Sequence, residues 1–131
     1  MSSILLDTHA FIWFVEDNPK LPLSVKHRIE ATDDIFVSIA SFWEIGIKLK
    51  KAQIFLSCDF NEMESRFLET DLQLLLISIQ DTIQQYNLPF YSTEHKDPFD
   101  RIIISQAISR SLPLVSKDSE FDAYPIEKVW A

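Results

Sequence analysis

The sequence predicts an α/β fold with a mostly parallel, five-stranded sheet that is covered on both faces by helices. Two observations lead to this prediction. Short, continuous apolar runs recur along the chain, and they alternate with longer segments that have the period of a helix. Strands without polar alternation are buried on both faces, which is typical of parallel sheets.

The N-terminal half contains two of the predicted strands and three of the helices, over residues 4–6, 8–16, 22–31, 35–37 and 38–51. The turn sequence Asp17-Asn18-Pro19 ends the first helix, and Pro22 lies near the start of the second. Ser38 is a good N-cap for the third helix, which we expect to continue to about Lys51.

The C-terminal half continues the alternation, with strands predicted over residues 72–77, 114–115 and 128–130 and helices over residues 59–70, 78–86 and 98–111. The core face of the first of these helices is formed by Phe60, Met63, Phe67 and Leu68. The turn sequence Asn87-Leu88-Pro89 ends the second helix. Asp97 is the expected N-cap of the third, and Pro98 suits its first position.

The composition fits one globular domain over residues 1–131. The chain is 47% hydrophobic, yet no apolar run reaches the roughly 18 residues that a membrane span needs. The start of the chain, MSSILLD, lacks the basic segment of a signal peptide. Cys58 is the only cysteine and cannot form an internal disulfide, so we expect a cytoplasmic protein in a reducing environment.

The charge balance and the glycine content exclude several classes of function. Twelve basic and 20 acidic residues give a net charge of −8, which argues against a protein that binds nucleic acid by charge alone. The same balance is compatible with a site that requires a cation or with a basic partner. Gly46 is the only glycine, so neither a phosphate-binding P-loop nor a GxGxxG dinucleotide turn can be built.

Acidic residues fall where a parallel α/β sheet binds ligands, which is beyond the carboxyl ends of its strands. Asp7 directly follows the first predicted strand, and Asp118 follows the fourth. Each of them could instead cap the helical segment that comes next. Asp122 is better interpreted as a solvated residue of the same turn as Asp118.

Glu44 and Asp100 lie on predicted helices. Glu44 could form a surface pair with Lys48, four residues further on, but its apolar neighbours indicate a carboxylate that is held inward.

Asp100 could serve only to interact with the helix dipole, yet it also heads the apolar stripe that we expect to pack on the sheet. That stripe is formed by Ile103, Ile104 and Ala107. The predicted solvent face of the same helix carries Arg101, Ser105 and Ser109.

The doubly wound layout would bring four acids to one end of the sheet: Asp7, Glu44, Asp100 and Asp118. Converging carboxylates repel one another unless cations neutralise them, and a set of oxygen ligands is what Mg²⁺ or Mn²⁺ prefers. No ligand spacing relates the three histidines, so we assign no metal to His9, His27 or His95. The acids therefore indicate metal-assisted phosphoryl chemistry rather than zinc hydrolysis.

Four segments of the chain resemble PIN-domain ribonucleases, specifically the VapC-type toxins of bacterial toxin–antitoxin pairs. These segments are ILLDTHAFIW, VSIASFWEIGIKLK, HKDPFDRIIISQA and LVSKDSEFDAY, and together they extend over nearly the whole chain. The resemblance implies a PIN-like three-layer α/β/α sandwich. It also implies an endoribonuclease that depends on one or two Mg²⁺ or Mn²⁺ ions and that halts translation when its antitoxin is lost.

The resemblance also assigns roles to individual residues. Asp7, Glu44, Asp100 and Asp118 match the four acids of the family and would serve in catalysis and metal binding. Asp97 belongs to the DPFD segment and is expected to cap or support the site. The hydroxyls of Thr8 and Ser116 match groups that support the acids. Ser105 departs from the family pattern, since relatives often carry alanine at that place.

RNA and a cognate antitoxin are the implied partners, and a homodimer is expected because the family usually forms dimers. Since the chain is acidic, we expect the inhibitory segment of the antitoxin to be basic. Lys48, Lys50 and Lys51 could contact the RNA backbone, or they could form an ordinary solvated helix end. Trp13, Trp43 and most of the ten phenylalanines are expected to lie in the core.

Two other functions stay open from the sequence. A phospho-accepting receiver domain shares the sheet type and an acidic Mg²⁺ pocket. It would need an acidic pair after the first strand, where Leu6 precedes a single Asp7. A catalytically silent PIN-like module that only binds a partner is the second alternative, although all four acids are present.

Overall fold

A five-stranded parallel sheet forms the centre of the structure, a computed structural model that describes residues 2–91 and 97–131. The strands are β1 (Ser3–Leu6), β2 (Asp34–Ser38), β3 (Gln73–Leu75), β4 (Leu114–Val115) and β5 (Lys128–Val129). Every neighbouring pair is parallel, and the strand order is β3-β2-β1-β4-β5. The predicted parallel α/β sheet is confirmed. His95 lies outside the described residues.

Six α-helices occur in the described part of the chain: α1 (Thr8–Val15), α2 (Leu23–Glu30), α3 (Ile39–Lys50), α4 (Met63–Leu68), α5 (Ile79–Asn87) and α6 (Pro98–Arg110). The segments Phe60–Glu62 and Ser119–Ala123 form short 3₁₀ helices. The predicted caps are confirmed, since Ser38 accepts a hydrogen bond from the Ala40 N–H and Asp97 accepts from the N–H groups of Phe99 and Asp100. None of these helices is long and apolar enough to cross a bilayer.

The two faces of the sheet carry two separate apolar cores. Ile4 and Leu6 of β1 pack on one face with side chains from α1 to α4. Leu5 points to the opposite face, where it packs with α6 and with Leu88, directly after α5. This alternation along a strand that is buried on both faces gives the three layers that the sequence predicts.

The solvent face that we assigned to α6 is wrong at two of its three residues. Arg101 is only 4% exposed and Ser105 is fully buried, whereas Ser109 is exposed as expected. The reason is that α5 packs along α6, so a second face of α6 is covered. Arg101 donates hydrogen bonds to the carbonyls of Leu88 and Pro89 beyond the end of α5, and Ser105 donates to the Arg101 carbonyl at 2.7 Å.

Several apolar side chains assigned to the core are instead exposed. Trp43 is 65% exposed because the inward face of α3 is formed by its neighbours Ala40, Ser41, Glu44 and Ile45. Leu68 at the end of α4 is 74% exposed, and Phe55 and Phe90 also lie on the surface. The core prediction holds for Phe11 and Phe121, which are buried, and Trp13 packs partly against the first core.

Gly46, in the middle of α3, allows a close approach between two segments. A Cβ atom at this position would lie 3.2 Å from two carbons of the Phe60 ring, which is tighter than an ordinary contact. The single glycine of the chain therefore serves helix packing and not phosphate binding.

Candidate metal site

The carboxyl end of β1 lies at the centre of the sheet. Leu6, its last residue, pairs with Val37 of β2 on one side and with Val115 of β4 on the other. The next residue is Asp7, and its N–H donates to the Val115 carbonyl at 3.0 Å. Asp7 therefore lies at the point where the strand order reverses, which is where parallel α/β sheets form a ligand crevice.

Asp7 both caps α1 and faces the crevice, so it has the capping role and the site position that the sequence left as alternatives. It is 7% exposed, and its Oδ1 accepts a hydrogen bond from the Ala10 N–H at 2.8 Å. Burial raises the pKa of Asp7 to about 7, against hydrogen bonds from the Ser116 hydroxyl and the Ala10 N–H, and the charges of Asp100 and Glu44 raise it further. A raised pKa indicates that the charged carboxylate is poorly compensated here.

Glu44 is held inward, as its apolar neighbours predict. It is 2% exposed, and the Thr8 hydroxyl donates to its Oε1 at 2.6 Å. The same hydroxyl shares a hydrogen bond of 3.0 Å with Ser41, which fixes its position. The predicted partner Lys48 is also present, with its Nζ 2.5 Å from Glu44 Oε2. Because Glu44 is buried, this ion pair is not the solvated surface pair of the simpler alternative.

Glu44, Asp97 and Asp100 form a group of three carboxylates. One oxygen from each residue lies within 4.8 Å of the other two. Asp97 was expected to be a capping or supporting residue, and it does cap α6, but it also belongs to this group. Asp7 is not one of the three, although the charges of Glu44 and Asp100 act on it.

The packing of α3 against α6 brings the three carboxylates together. Glu44 lies on the inward face of α3, and Asp97 and Asp100 lie at the N-terminus of α6. The rings of Trp43 and Phe99, each adjacent in sequence to one of these acids, meet edge to face with centroids 5.3 Å apart. The exposed Trp43 thus contributes to the junction that positions the site.

Four of the acids, but not Asp97, line an open cavity of about 490 Å³. Its lining is formed by Asp7, Thr8, His9, Trp13, Glu44, Lys48, Asp100, Lys117, Asp118 and Ser119. Sequence reasoning assigned no site role to His9, Trp13 or Lys117. The position of His9, three residues after the end of β1, was the available signal. Burial lowers the pKa of His9, and the charge of Lys48 adds to this effect.

Asp118 lies at the exposed rim of the cavity. Its side chain accepts from the Glu120 N–H at 2.9 Å and so caps the 3₁₀ helix, while its own N–H donates to the Ser116 hydroxyl at 3.0 Å. Ser116 is fully buried and hydrogen-bonds Asp7 as well, so it links the two acids. Asp122 is solvated as predicted, since its side chain is 61% exposed and pairs with Lys128 at 2.7 Å.

The donor set fits a small divalent cation that prefers oxygen ligands. In the described part of the chain, the group of three contains carboxylates and neither histidine nor cysteine. The poorly compensated charge at Asp7 points in the same direction, because a cation in the cavity would favour the ionised acids. The geometry therefore supports a site for such an ion without identifying which ion it is.

Comparison with known proteins relates the chain to one family over nearly its whole length. The sequence profile of the PIN domain matches residues 4–127. The chain is 25% identical over 118 residues to ribonuclease VapC22 of Mycobacterium tuberculosis, an alignment that covers 90% of this chain and 88% of the relative.

Solved structures with a similar fold include a toxin–antitoxin complex from Klebsiella pneumoniae, with a TM-score of 0.60 at 21% identity and coverage of 96% of this chain and 95% of that one. VapBC2 from Rickettsia felis, bound to a promoter DNA fragment, has a TM-score of 0.67 at 16% identity and covers 98% of this chain and 99% of that one. DNA-bound VapBC from Salmonella typhimurium has a TM-score of 0.67 at 21% identity, with 98% of both chains covered. FitAcB from Neisseria gonorrhoeae has a TM-score of 0.62 at 19% identity, with 95% of both covered. The profile match over residues 4–127, which is nearly the whole chain, shows that the chain belongs to the PIN domain family.

Proposed function

We propose that this protein is a metal-dependent endoribonuclease that acts as the toxin of a toxin–antitoxin pair. The observation that carries the proposal is the convergence of Glu44, Asp97 and Asp100 beside the buried Asp7 at the carboxyl edge of the sheet. The similarity to ribonuclease VapC22 supports the reaction class, and the similar fold of a toxin–antitoxin complex from Klebsiella pneumoniae supports the biological role.

The proposed metal ligands are Glu44, Asp97 and Asp100, with Mg²⁺ or Mn²⁺ as the ion. Asp7 adds negative charge beside them, and Asp118 at the rim is placed to help with the same ion or a second one. A bound divalent cation supplies Lewis-acid stabilisation of charge on a phosphodiester and makes water more acidic.

Other residues of the chain hold these acids in position. Thr8 fixes the Glu44 carboxylate through its 2.6 Å hydrogen bond, and Ser116 holds Asp7. Groups that orient metal ligands in this way contribute to metal affinity, because they limit the orientations that the ligand can adopt. Lys50 and Lys51 lie exposed at the end of α3, where they could contact the RNA backbone. Lys48 has a different environment, since it is paired with Glu44.

The proposed protein partner is an antitoxin with a basic inhibitory segment. An arginine or lysine entering the acidic cavity would pair with the same carboxylates that hold the metal. A toxin–antitoxin complex from Klebsiella pneumoniae is similar in fold to this chain, which supports a partner of that kind. A homodimer stays a prediction.

RNA cleavage in the presence and absence of metal tests the enzymatic proposal. We expect cleavage with Mg²⁺ or Mn²⁺, none with EDTA, and a loss of about 100-fold or more for Asp7→Asn and Asp100→Asn. Asp122→Asn is the matched control, because it removes an exposed acid of the 3₁₀ helix that Asp118 caps and should leave the rate unchanged. Equal activity in wild type, Asp7→Asn and Asp100→Asn would reject the proposal and favour the silent partner-binding alternative.

A growth assay tests the toxin role separately. We expect expression of the protein to stop growth and co-expression of the adjacent small gene to restore it, because an antitoxin would fill the cavity. A housekeeping nuclease would show no such dependence on a neighbouring gene.

The receiver-domain alternative loses its support, since the chain belongs to the PIN domain family. Phosphorylation of the protein by acetyl phosphate would be the result that supports a receiver domain.

A further inference from the structure

The acidic cluster already contains a cation supplied by the chain itself. The ammonium of Lys48 lies 2.5 Å from Glu44 Oε2, and the two side chains are 28% and 3% exposed. The charges of Asp97 and Asp100 act on the same ammonium. Lys48 therefore contacts one of the three carboxylates that the metal would need and is attracted by the charges of the other two.

This ion pair differs from an ordinary pair at the same helical spacing. Arg66 and Glu62 are also four residues apart, but their shortest N–O distance is 3.6 Å and both side chains are more than half exposed. Glu44 has Thr8 on one oxygen and Lys48 on the other, so each of its oxygens is already engaged. A divalent ion that binds Glu44 would meet the like charge of Lys48 at short range.

We propose that Lys48 is an internal counter-ion that a divalent metal displaces from Glu44 when it enters the site. The inference rests on the metal site of the proposed function. Lys48 stabilises the three carboxylates while the metal is absent, and it competes with the metal for them. The lysine thereby sets the metal concentration at which the site fills, and removing it strengthens metal binding.

Titration with Mn²⁺, followed by isothermal calorimetry or by the electron paramagnetic resonance of free Mn²⁺, tests this proposal without measuring activity. Lys48→Gln should bind Mn²⁺ roughly tenfold more tightly than wild type, because the competing cation is gone. Lys50→Gln is the matched control. It removes the same charge from an exposed position on the same helix and should bind like wild type.

A second measurement uses the unaltered protein, since Lys48→Gln leaves Glu44 buried without its cation and could impair folding. Addition of Mg²⁺ to wild type should shift the side-chain NMR resonances of the Lys48 CεH₂ group as the ammonium leaves Glu44. The corresponding resonances of Lys50 should not move.

The possible outcomes separate this proposal from the one it rests on. If neither wild type nor Lys48→Gln binds Mn²⁺, the metal site itself is wrong and both proposals fail. If wild type binds Mn²⁺ but Lys48→Gln binds equally or more weakly, the counter-ion role fails while the metal site stands. Metal binding that leaves the Lys48 resonances unchanged would also overturn the counter-ion role.

Discussion

Asp7 and Asp81 are both buried carboxylates at the start of a helix, but their electrostatic environments are opposite. Asp81 is 1% exposed and accepts two hydrogen bonds from the Arg110 guanidinium, at 2.6 and 3.0 Å. Burial alone would raise the pKa of Asp81, but the hydrogen bonds from Arg110 and Ser78 outweigh it and hold that pKa below its ordinary value. Arg110 thus joins α6 to the first turn of α5.

Burial raises the pKa of Asp7 to about 7, because the hydrogen bonds from Ser116 and Ala10 do not offset it and the charges of Asp100 and Glu44 raise the pKa further. The comparison shows what distinguishes a structural carboxylate from a candidate ligand. The positive charge that compensates Asp81 belongs to Arg110, a residue of the same chain. Asp7 lies in a cluster whose repulsion an external cation can relieve, and such perturbed acids are typical of functional sites.

The largest expected effect concerns the pH dependence of stability in the metal-free protein. The pKa of Asp7 is about 7 in the folded state against 3.8 for an unperturbed aspartate, so the folded state binds the additional proton between these two pH values. The free energy of unfolding should therefore fall as the pH rises from 3.8 to about 7, by ~4 kcal/mol at most from this group. Urea denaturation in EDTA at several pH values measures this slope, and Asp7→Asn should remove the contribution of this group.

Asp81 should have the opposite dependence, which sharpens the comparison. Because the pKa of Asp81 is lowered in the folded state, its stabilising contribution is fully present above pH 3.8 and is lost as the pH falls towards the folded-state pKa.

The result that would contradict the Asp7 prediction is an unchanged pH dependence. If the free energy of unfolding has the same slope between pH 4 and pH 7 in wild type and Asp7→Asn, the proposed environment of Asp7 is wrong.

The next effect is the loss of stability on breaking the Asp81–Arg110 pair. Asp81→Asn should lower the free energy of unfolding by about 3 kcal/mol, because it removes the charge partner of a partly buried guanidinium. Denaturation by urea at neutral pH measures this loss, while Mn²⁺ affinity should not change. Asp17→Asn is the control, since the Asp17–Lys26 pair has the same 2.6 Å distance but an exposed aspartate. Equal losses in the two variants would mean that the burial of Asp81 is unimportant.

A smaller effect is expected from the hydroxyl that holds Glu44. Thr8→Val removes the 2.6 Å hydrogen bond to Glu44 and should weaken Mn²⁺ binding about tenfold, because the carboxylate loses its fixed orientation. Thr82→Val is the control, since the Thr82 hydroxyl bonds only to a carbonyl of its own helix among the described contacts. Calorimetric titration measures both affinities. Unchanged binding by Thr8→Val would show that the hydroxyl does not position the ligand.

Patterns within single segments of the sequence were sufficient to predict much of the fold and part of the site. Apolar runs located the strands, and cap chemistry at Ser38 and Asp97 identified where α3 and α6 begin. The position of Asp7 after β1 follows from strand topology, because the carboxyl ends of neighbouring parallel strands share one edge of the sheet. The apolar neighbours of Glu44 correctly indicated its burial.

The remaining features depend on contacts between elements that are distant in sequence. The approach of Asp97 to Glu44 requires the packing of α3 against α6, which no local pattern encodes. The burial of Arg101 and Ser105 arises because α5 covers a face of α6 that helical periodicity leaves to solvent. A single helix pattern can identify one buried face but does not show how many neighbours the helix has.

The central claim is that acids from α3 and α6, beside Asp7, gather to hold a divalent cation. Anomalous X-ray diffraction from crystals grown with Mn²⁺ tests it most directly. We predict a manganese peak bonded to carboxylate oxygens of Glu44, Asp97 and Asp100. Crystals grown at saturating Mn²⁺ that show no such peak at any of these three carboxylates would contradict the account.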